Sequence, residues 1–420
     1  MPWRCAPSRM RAMTECSDGV STQLVEEIRA AIVRGGQVAP GGATREVVAV
    51  LAEDALDAGR HILSADARMH VVTAVVDATL GLGPLEALLR DPSVTEVMVN
   101  GPDRVWVERG GRIEPVSTRF TDSDHLLHVI DRIIAPLGRR LDEASPMVDA
   151  RLPDGSRINA VMPPLSLDGP VLTVRRFPAE PLTGEDLVRL GAMSADMLAA
   201  LHLAVRARRN ILVTGGTGSG KTTTLAAVSA AIPDGERVIT IEDAAELRLP
   251  LAHVVRLESR PAGVEGRGAI SIRALVRNAL RMRPDRIIVG EVRGGEALDM
   301  ISALTTGHEG SMSTLHASSP REALRRLVTL ALMGDLELPW VAVADQVASA
   351  VDLVVHQARD ASGVRRTVEI AEVRRGPDGP QTRRLCGWRP GGGGRFTWNA
   401  DATAWRDAVA LDAARGVRDE

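Results

Sequence analysis

The sequence predicts an α/β protein with a parallel-sheet domain, preceded by a smaller α+β domain and a helical leader. Three patterns predict this arrangement. After residue 190, short β-rich runs alternate with helical segments. Between residues 91 and 177, short alternating runs are separated by turn signals, and between 21 and 90 apolar residues recur at helical spacing.

Bulk composition limits the possible functions. At about 150 residues per domain, 420 residues suggest two or three domains. The net charge of −3 gives no general attraction to nucleic acid or anionic lipid. Three scattered cysteines without a CxxC pair favour neither a disulfide framework nor a zinc ribbon, and they suit a cytoplasmic location. The start lacks the apolar core of a signal peptide and no long apolar run occurs, so we expect membrane contact only through partners.

The first ninety residues are predicted to hold a disordered leader over 1–20 and a helical bundle over 21–90. Leu24, Val25, Ile28 and Ile32 share one helical face, and further stripes follow after residues 47 and 71. A small helical bundle that buries these stripes is the simplest interpretation.

Residues 91–177 are predicted to form a compact α+β domain. The stretch VTEVMVNGPDRVWVERGGRIEPV carries two turn signals between alternating apolar positions, which indicates antiparallel hairpins. An amphipathic helix over about 123–137 follows, then a hairpin around the PDG turn and the strand VLTVRRF. The stretch PAEPLTGEDL at 178–187, with two prolines and a glycine, is predicted to be a linker.

Residues 188–388 are predicted to form the parallel-sheet domain. The runs NILVTG, RVITIED, RIIVGEV, GSMSTLHA and AVDLVVHQ are β-rich, and helical segments separate most of them. Such alternation is typical of a parallel sheet with crossover helices. The glycine-rich RPGGGGR and the polar end after it predict a flexible tail over 389–420.

A phosphate-binding loop is the strongest motif in the chain. Residues 211–224, ILVTGGTGSGKTTT, contain the full GxxxxGK[ST] pattern between a predicted strand and a predicted helix. Its glycines let backbone N–H groups turn around a β-phosphate, and the following helix offers its positive end. Lys221 would reach the β- and γ-phosphates, and the Thr222 hydroxyl would bind Mg²⁺. The residues predicted to bind ATP are Gly215, Gly216, Thr217, Gly218, Ser219, Gly220, Lys221, Thr222 and Thr223.

Two further strand ends carry carboxylates. Glu291 follows Gly290 at the end of RIIVGEVR, and a glutamate there suits activating or orienting an attacking water. Glu242 and Asp243 end the run RVITIED, and ligands of open α/β sheets bind at the carboxyl ends of strands. Two plainer interpretations stay open: an exposed strand-end carboxylate for Glu291, and a helix-capping acidic cluster for the other pair.

Two of the nine histidines lie in TTGHEGSMSTLHASSP, as His308 and His316. If GSMSTLHA is a strand, they lie near its opposite ends, roughly 25 Å apart at about 3.3 Å per residue. The sequence places no cysteine or carboxylate cluster there to complete a metal site. We therefore treat the two histidines as separate candidates.

Four stretches together resemble a known superfamily. GGTGSGKTTT, ITIEDAAEL, IIVGEVRGGEALDM and TGHEGSMSTLHASSPREALRRL look like the Walker A, Asp, Walker B and His boxes of the type II/type IV secretion and pilus ATPases. Their order and approximate spacing also match. The stretches LRDPSVTEVMVNGPDRVWVERGGRIEPV, SPMVDARLPDGSRINAVMPP and VLTVRRF resemble the N-terminal domain of the CpaF-like, tight-adherence pilus branch. The resemblance covers about 83–357, and the four-cysteine zinc module of the type II secretion branch is missing from the sequence.

The resemblance implies a homo-hexameric ring whose subunits carry a PAS-like N-terminal domain and a RecA-like motor, with ATP and Mg²⁺ between them. Carried over, Glu291 is the Walker B glutamate and Glu242 is the Asp-box acid near the γ-phosphate. His316 is the His-box residue that senses the γ-phosphate, with core packing as its alternative. His308 is its weaker companion in the same box, and two roles stay open for it: part of a coupling network, or simple packing of the turn.

The resemblance also assigns arginines of the N-terminal domain. Arg157 and Arg175 match arginines that close onto the phosphates, while the nearby Arg151 and Arg176 leave that register open. An arginine supplied from another domain can stabilise the charge of a phosphoryl-transfer transition state. Surface salt bridges are the plainer alternative for all four.

The leading hypothesis is an ATPase motor that acts on a polytopic inner-membrane platform protein from the cytoplasmic face. A nucleic-acid translocase is disfavoured, because single-strand channels need basic grooves and stacking aromatics, whereas the chain is mildly acidic with six Trp, three Phe and no Tyr. A non-hydrolysing scaffold is disfavoured by the intact Lys221, Glu291 and Glu242.

Overall fold

The computed structural model describes residues 22–34, 45–61, 63–80, 82–152, 154–176, 181–260, 267–334, 337–360, 363–389, 394–400 and 402–416. Contacts divide the chain into two compact units, Met1–Arg176 and Phe177–Glu420. The predicted disordered leader at 1–20 lies outside the described residues.

The first unit begins with helices that bury their apolar stripes against one another. The helices that pack on one another are α1 (Thr22–Arg34), α2 (Arg45–Ala58) and α3 (Ala65–Leu80). Their shared core contains Ile28, Ile32, Ala52, Leu56, Val71 and Val75. The short α4 (Glu86–Arg90) differs, because its Leu88 is buried in the core of the adjoining sheet. On α2 the buried stripe runs through Val48, Ala52 and Leu56, whereas Val47 faces outward, as expected for residues spaced by one helical turn.

The rest of the first unit is a six-stranded antiparallel sheet with one helix. Its elements are β1 (Val94–Asn100), β2 (Val105–Arg109), β3 (Arg112–Val116), α5 (Ser123–Ile134), β4 (Met147–Arg151), β5 (Arg157–Val161) and β6 (Val171–Arg175). The strand order is β3-β2-β1-β6-β5-β4. Alternating residues such as Val97, Val99 and Leu172 enter the same core as Leu126 and Ile130 of α5. The predicted NGPD turn connects β1 to β2, and Asp154 and Gly155 of the predicted PDG turn lie between β4 and β5.

The second unit is organised around a nine-stranded sheet. Its strands are β7 (Ile211–Gly215), β8 (Val238–Glu242), β9 (Val254–Glu258), β10 (Arg286–Val292), β11 (Met312–His316), β12 (Leu353–Arg359), β13 (Arg365–Gly376), β14 (Gly379–Arg389) and β15 (Arg395–Trp398). The order is β15-β14-β13-β12-β7-β11-β10-β8-β9. The six strands from β12 to β9 in this order pair in parallel, and β13, β14 and β15 add an antiparallel meander. Each of the five predicted β-rich runs supplies one of the parallel strands.

Helices cover both faces of this sheet. They are α6 (Gly184–Arg189), α7 (Ala195–Arg206), α8 (Lys221–Ser229), α9 (Ile272–Ala279), α10 (Glu296–Leu304), α11 (Pro320–Leu332), α12 (Trp340–Ala350) and α13 (Ala402–Gly416). Neighbouring residues of β7 enter different cores: Leu212 packs in one buried cluster, and Ile211 and Val213 pack in the other. A strand buried on both sides must be apolar throughout, which explains why the run ILV does not alternate.

The predicted fold class, an α/β domain with a parallel sheet preceded by a smaller α+β domain and leading helices, is confirmed. No described helix is both long enough and apolar enough to cross a membrane.

Two predicted boundaries require correction. The predicted linker at 178–187 already contains the start of α6 at Gly184, because Thr183 and Asp186 cap that helix reciprocally. The predicted flexible tail at 389–420 contains β15 and α13. Strand β15 pairs with β14, and Trp405 and Val409 of α13 are buried in the core that also holds α7. The glycine run at 390–393 lies outside the described residues.

A buried ion pair fixes the amino end of β10. Arg286 is fully buried and donates from Nε and Nη2 to Glu236, with an Nη2–Oε1 distance of 3.1 Å. Its Nη1 donates to the carbonyl oxygens of Val205 at 2.8 Å and Gly310 at 3.1 Å. Gly310 has φ 83°, and a Cβ there would lie 2.5 Å from Nη1 of Arg286. One guanidinium therefore joins β10 to the end of α7 and to the turn before β11.

Replacing Arg286 with leucine should lower the free energy of unfolding by about 3–5 kcal/mol, because Glu236 would keep only the partly exposed Arg208 as a partner. Urea unfolding followed by far-UV circular dichroism measures this change. The matched control is Arg325→Leu, which removes the exposed Arg325–Glu322 pair and should change stability by at most about 0.5 kcal/mol. Equal effects of the two substitutions would contradict the assigned role of the buried pair.

Candidate functional site

The predicted motifs meet at one edge of the second sheet. Strands β7, β8, β10 and β11 are parallel neighbours, so their carboxyl ends lie on the same side. The phosphate loop follows β7, Glu242 ends β8, Glu291 lies near the end of β10, and His316 ends β11. His316 pairs in register with Gly215, the first residue of the loop. The fold thus gathers four separate sequence segments at a single edge.

The phosphate loop has the backbone that its glycines permit. Gly218 and Gly220 have φ of 66° and 95°, a left-handed region that other residues rarely adopt. Gly215 is needed for close packing, because a Cβ there would lie 2.3 Å from the carbonyl oxygen of Gln357 on β12. By contrast, a Cβ on Gly216 would meet no heavy atom within 4 Å. The loop is therefore packed at its base and open at its rim, as a phosphate cradle requires.

The amino end of α8 completes the cradle. Gly220 is the N-cap of α8 and supplies no side-chain acceptor, so the first N–H groups of the helix are available to an anion. Lys221, Thr222 and Thr223 form the first turn. The Nζ of Lys221 donates to the carbonyl oxygen of Gly216 at 3.0 Å, within the loop itself.

Lys221 has a second property that its motif alone does not reveal. It is the only lysine among the 51 lysine and arginine residues of the chain. An ammonium is a compact point charge on a flexible stem, whereas a guanidinium is a planar fork. A chain that uses arginine at every other basic position keeps lysine where a phosphate-binding loop needs it.

Arg365, which the sequence analysis missed, also holds the phosphate loop. It lies at the start of β13, and its Nε donates to the carbonyl oxygen of Gly218 at 2.7 Å. Lys221 and Arg365 therefore bind two carbonyls of the same loop. No local motif marks Arg365, because only the pairing of β12 with β7 and β13 brings it to the loop.

The oxygen donors at this edge fit Mg²⁺. The Thr222 hydroxyl lies in the first turn of α8, and Glu291 lies on a strand that ends at the same edge. Across the described part of the chain, no group of three or more His, Cys, Asp or Glu side chains could hold a metal by itself. A hydroxyl and a carboxylate are oxygen ligands that suit Mg²⁺, which keeps water ligands and binds substrate phosphates beside one or two protein oxygens.

Glu242 is buried, with 3% of its surface exposed. Its carboxylate accepts from the backbone N–H groups of Glu246 at 2.9 Å and Leu247 at 3.0 Å. Burial outweighs these hydrogen bonds and raises the pKa of Glu242 to about 7. The segment 243–253 contains no helix, so the helix-capping interpretation of this acid is wrong.

Gly290 makes room for Glu242. A Cβ on Gly290 would lie 2.7 Å from Cγ of Glu242, which is held on the neighbouring strand. Residue 290, which precedes Glu291, must therefore be a glycine because a side chain there would collide with Glu242. The carbonyl oxygen of Gly290 accepts from the Thr314 hydroxyl of β11 at 2.5 Å, and the register of β10 with β11 shifts between Val289 and Val292.

Glu291 lies within this irregular part of β10 and is partly exposed. Its Oε2 accepts from Nε of Arg293 at 2.9 Å. Arg293 also lies 3.5 Å from Asp243, measured from Nη1 to Oδ2. Glu291 is thus paired with a cation that directly follows its strand, which the simple exposed-carboxylate interpretation did not include.

The two predicted histidines lie at different ends of β11. His316 is partly exposed at the carboxyl end, beside the phosphate loop. His308 precedes the strand, and its Nδ1 lies 3.0 Å from the carbonyl oxygen of Pro284, just before β10. The contacts of His308 favour turn packing, and the structure does not bring the two histidines together.

A third histidine, missed in the sequence, contacts the strand that carries the phosphate loop. His356 on β12 is buried, and its Nδ1 lies 3.0 Å from the Thr214 hydroxyl. Burial lowers the pKa of His356, so its ring is neutral at pH 7. A hydrogen bond with the backbone of Ser318 links the same ring to the segment after β11.

Three of the four candidate arginines in the first unit form one row. Arg157 pairs in register with Arg151 on β4 and with Arg175 on β6, and Glu96 of β1 is opposite Arg175. Like charges placed opposite each other destabilise a sheet unless an anion compensates them. Arg176 differs, because its Nη1 donates to the carbonyl oxygen of Val94 at 3.1 Å within its own domain.

Comparison with known proteins identifies the family. Residues 78–370 match the family described as Type II/IV secretion system protein. A putative conjugal transfer protein of Mycobacterium tuberculosis is 42% identical over 340 residues, which is 79% of this chain and 92% of that protein. The type IV secretion system protein PtlH of Bordetella pertussis is 37% identical over 315 residues, or 68% and 92% of the two chains.

Two solved structures are also similar. The VirB11 ATPase of Brucella suis is 29% identical, with a TM-score of 0.36 over 77% of this chain and 97% of that one. The pilus retraction motor PilT with bound ADP is 21% identical, with a TM-score of 0.48 over 80% and 88% of the two chains.

The chain belongs to the Type II/IV secretion system protein family, as its four ordered boxes predicted. The predicted activity class, an ATPase of secretion systems, is confirmed with it. The narrower CpaF-like branch stays a prediction.

The stability of the protein should depend on pH through Glu242. With a pKa near 7 in the folded protein against 4.5 for the ordinary side chain, the folded state holds a proton that the unfolded state has lost between these values. The contribution of Glu242 to the free energy of unfolding is therefore fully present below pH 4.5 and falls as the pH rises to about 7. Glu242→Gln lacks this titration, so its stability relative to the unmodified protein should rise by about 2–3 kcal/mol between pH 5 and pH 8. Urea unfolding at several pH values measures the difference, and a pH-independent difference would refute the shifted pKa.

Proposed function

We propose that this member of the Type II/IV secretion system protein family is an ATP-hydrolysing motor that powers pilus assembly, pilus retraction or protein secretion through a membrane platform protein. The observation that carries the proposal is the convergence of the phosphate loop, Glu242, Glu291 and His316 at one edge of a parallel sheet. The family match supports the secretion or pilus context.

Phosphate binding is assigned to the loop and to Lys221. The N–H groups of the loop and of the first turn of α8 would surround the β-phosphate. Lys221 would exchange the carbonyl oxygen of Gly216 for the β- and γ-phosphates. Thr222 would hold Mg²⁺, which when bound neutralises phosphate charge and orients the phosphates.

Hydrolysis is assigned to Glu291. A water attacks the γ-phosphorus, its oxygen forms the new bond to phosphorus, and the bond to the β-phosphate oxygen breaks to release ADP. Glu291 orients this water and accepts its proton. Glu242, with a pKa of about 7, is a second acid that can hold a proton at neutral pH beside the same edge. His316 would respond to the γ-phosphate from the end of β11.

The arginine row of the first unit is assigned to the phosphates of ATP. Arg157 and Arg175 were predicted for this role, and their shared register with Arg151 extends the row by one residue. An arginine supplied in this way is worth about 10³–10⁵ in rate in other phosphoryl-transfer systems. Closure of the N-terminal domain over ATP and its release after hydrolysis would convert chemistry into movement.

We further propose a homo-hexamer of the CpaF-like branch, located in the cytoplasm at the inner face of the cell membrane. Sequential closure around the ring would drive a polytopic inner-membrane platform protein. The net charge of −3 disfavours a nucleic-acid translocase.

Lys221→Ala should abolish ATP binding or turnover, because the loop would lose its only ammonium. Phosphate release and binding of a fluorescent ATP analogue measure both properties. Since Lys221 is the only lysine, ATP should also protect the unmodified protein from an acylating reagent specific for lysine side chains. Peptide mapping separates that reaction from the N-terminal amine. Labelling that is unaffected by saturating ATP would contradict the assigned contact.

Glu291→Gln should retain ATP binding and lose hydrolysis by about 10²–10⁴-fold, which traps an ATP-bound closed state. Light scattering of this variant with ATP should report the hexamer. Turnover at the unmodified rate would exclude the water-activating role. Stimulation of the unmodified protein by DNA would favour the translocase, and absence of steady-state hydrolysis would favour the scaffold.

A further inference from the structure

Arg293 makes an asymmetric contact with the proposed water-activating carboxylate. It lies two residues after Glu291, and both its Nε and its Nη2 donate to the same oxygen, Oε2. The Nε–Oε2 distance is 2.9 Å. The common fork-to-fork geometry would instead place one donor on each carboxylate oxygen. Here the guanidinium donates both hydrogen bonds to Oε2 and none to Oε1.

The same guanidinium extends to the neighbouring strand end. Its Nη1 lies 3.5 Å from Oδ2 of Asp243, which directly follows β8. Arg293 therefore lies between the acids at the ends of β8 and β10. A guanidinium that is hydrogen-bonded to one carboxylate and attracted by a second has fewer orientations than one with a single partner, so the ion pair with Asp243 restricts the group that contacts Oε2.

The backbone of Arg293 is held as well. Oε1 of Glu296, in the first turn of α10, accepts from the backbone N–H groups of Arg293 at 2.7 Å and Gly294 at 2.8 Å. On the other side, the Thr314 hydroxyl anchors the carbonyl oxygen of Gly290. Both ends of the four-residue segment 290–293 are thus fixed, and Glu291 has its side chain fixed between them.

We propose that Arg293 is a positioning residue that orients Glu291 so that Oε1 faces the attacking water. This inference rests on the proposed ATPase role of Glu291. A residue that blocked the base in the absence of ATP would cover both oxygens, whereas Arg293 covers one. The pair is exposed, with 62% and 24% of the two side chains accessible, so it adds little to stability and its effect falls on geometry.

The test compares Arg293→Gln and Arg293→Lys with the unmodified protein in steady-state ATP hydrolysis. Arg293→Gln should lower kcat about tenfold to hundredfold, as for other misplaced catalytic groups, while the Kd for ATP stays within about twofold. Arg293→Lys keeps the charge but cannot place two donors on one oxygen, so its kcat should fall between the two. In a Glu291→Gln background, Arg293→Gln should produce no further loss, because the group that it positions is gone.

Arg374 provides a matched control. It follows Glu372 by two residues on a strand, donates to it from Nε at 2.7 Å, and is similarly exposed, with values of 52% and 21%. Three strands separate β13 from β10. Arg374→Gln should leave kcat within about twofold.

Several results would overturn the inference. These are an unchanged or raised kcat in Arg293→Gln, an equal loss in the Glu291→Gln background, or a rise in Kd that accounts for the whole effect. Absence of hydrolysis in the unmodified protein would instead overturn the proposed function. If the unmodified protein hydrolyses ATP, Glu291→Gln loses this activity and Arg293→Gln leaves kcat unchanged, the positioning role alone is contradicted.

Discussion

The parallel pairing of β7 with β11 and β12 fixes where the phosphate loop begins relative to His316. Gly215 lies between His316 on one side and Gln357 on the other, in register with both. At this point the chain leaves the sheet to form the phosphate loop. A Cβ on Gly215 would collide with the carbonyl oxygen of Gln357 at 2.3 Å, so the loop can begin here only with glycine. A shift of one residue in either pairing would change the position of His316 relative to the loop.

Residues of the adjacent strands β8 and β10 also depend on one another, both for space and for charge. Glu242 of β8 occupies space that exists only because β10 carries Gly290. Glu242, Asp243 and Glu291 bring several acids to an edge that must also accept the negative phosphates of ATP. Burial raises the pKa of Glu242 to about 7, which lowers its negative charge at neutral pH, and Arg293 compensates Glu291 and Asp243. These local compensations reduce the repulsion that an acidic edge would exert on the nucleotide.

The sequence predicted the fold class and the motif-bearing strands, because the information for each lies in a local pattern. The β-rich run NILVTG predicted a strand of a parallel sheet, and the glycine and lysine pattern predicted the phosphate loop itself. Arg365 and His356 were missed, because their contacts depend on the pairing of β12 and β13, which no local pattern specifies. The tail was mispredicted for a related reason. A glycine run and a polar end suggested flexibility, but Trp405 finds its apolar partners more than 150 residues earlier in the chain, in α7.

Strand β10 shows how one element can serve stability and chemistry at opposite ends. At its amino end, the Arg286–Glu236 pair has 0% and 7% of its side chains exposed, and breaking it would leave a buried charge. At its carboxyl end, Glu291 pairs with Arg293, which directly follows the strand, and 24% and 62% of these two side chains, respectively, are exposed. This exposed pair adds little to stability, so its effect falls on the geometry of one carboxylate. The buried pair holds the strand in one place, and that fixed strand defines the position from which Arg293 orients Glu291.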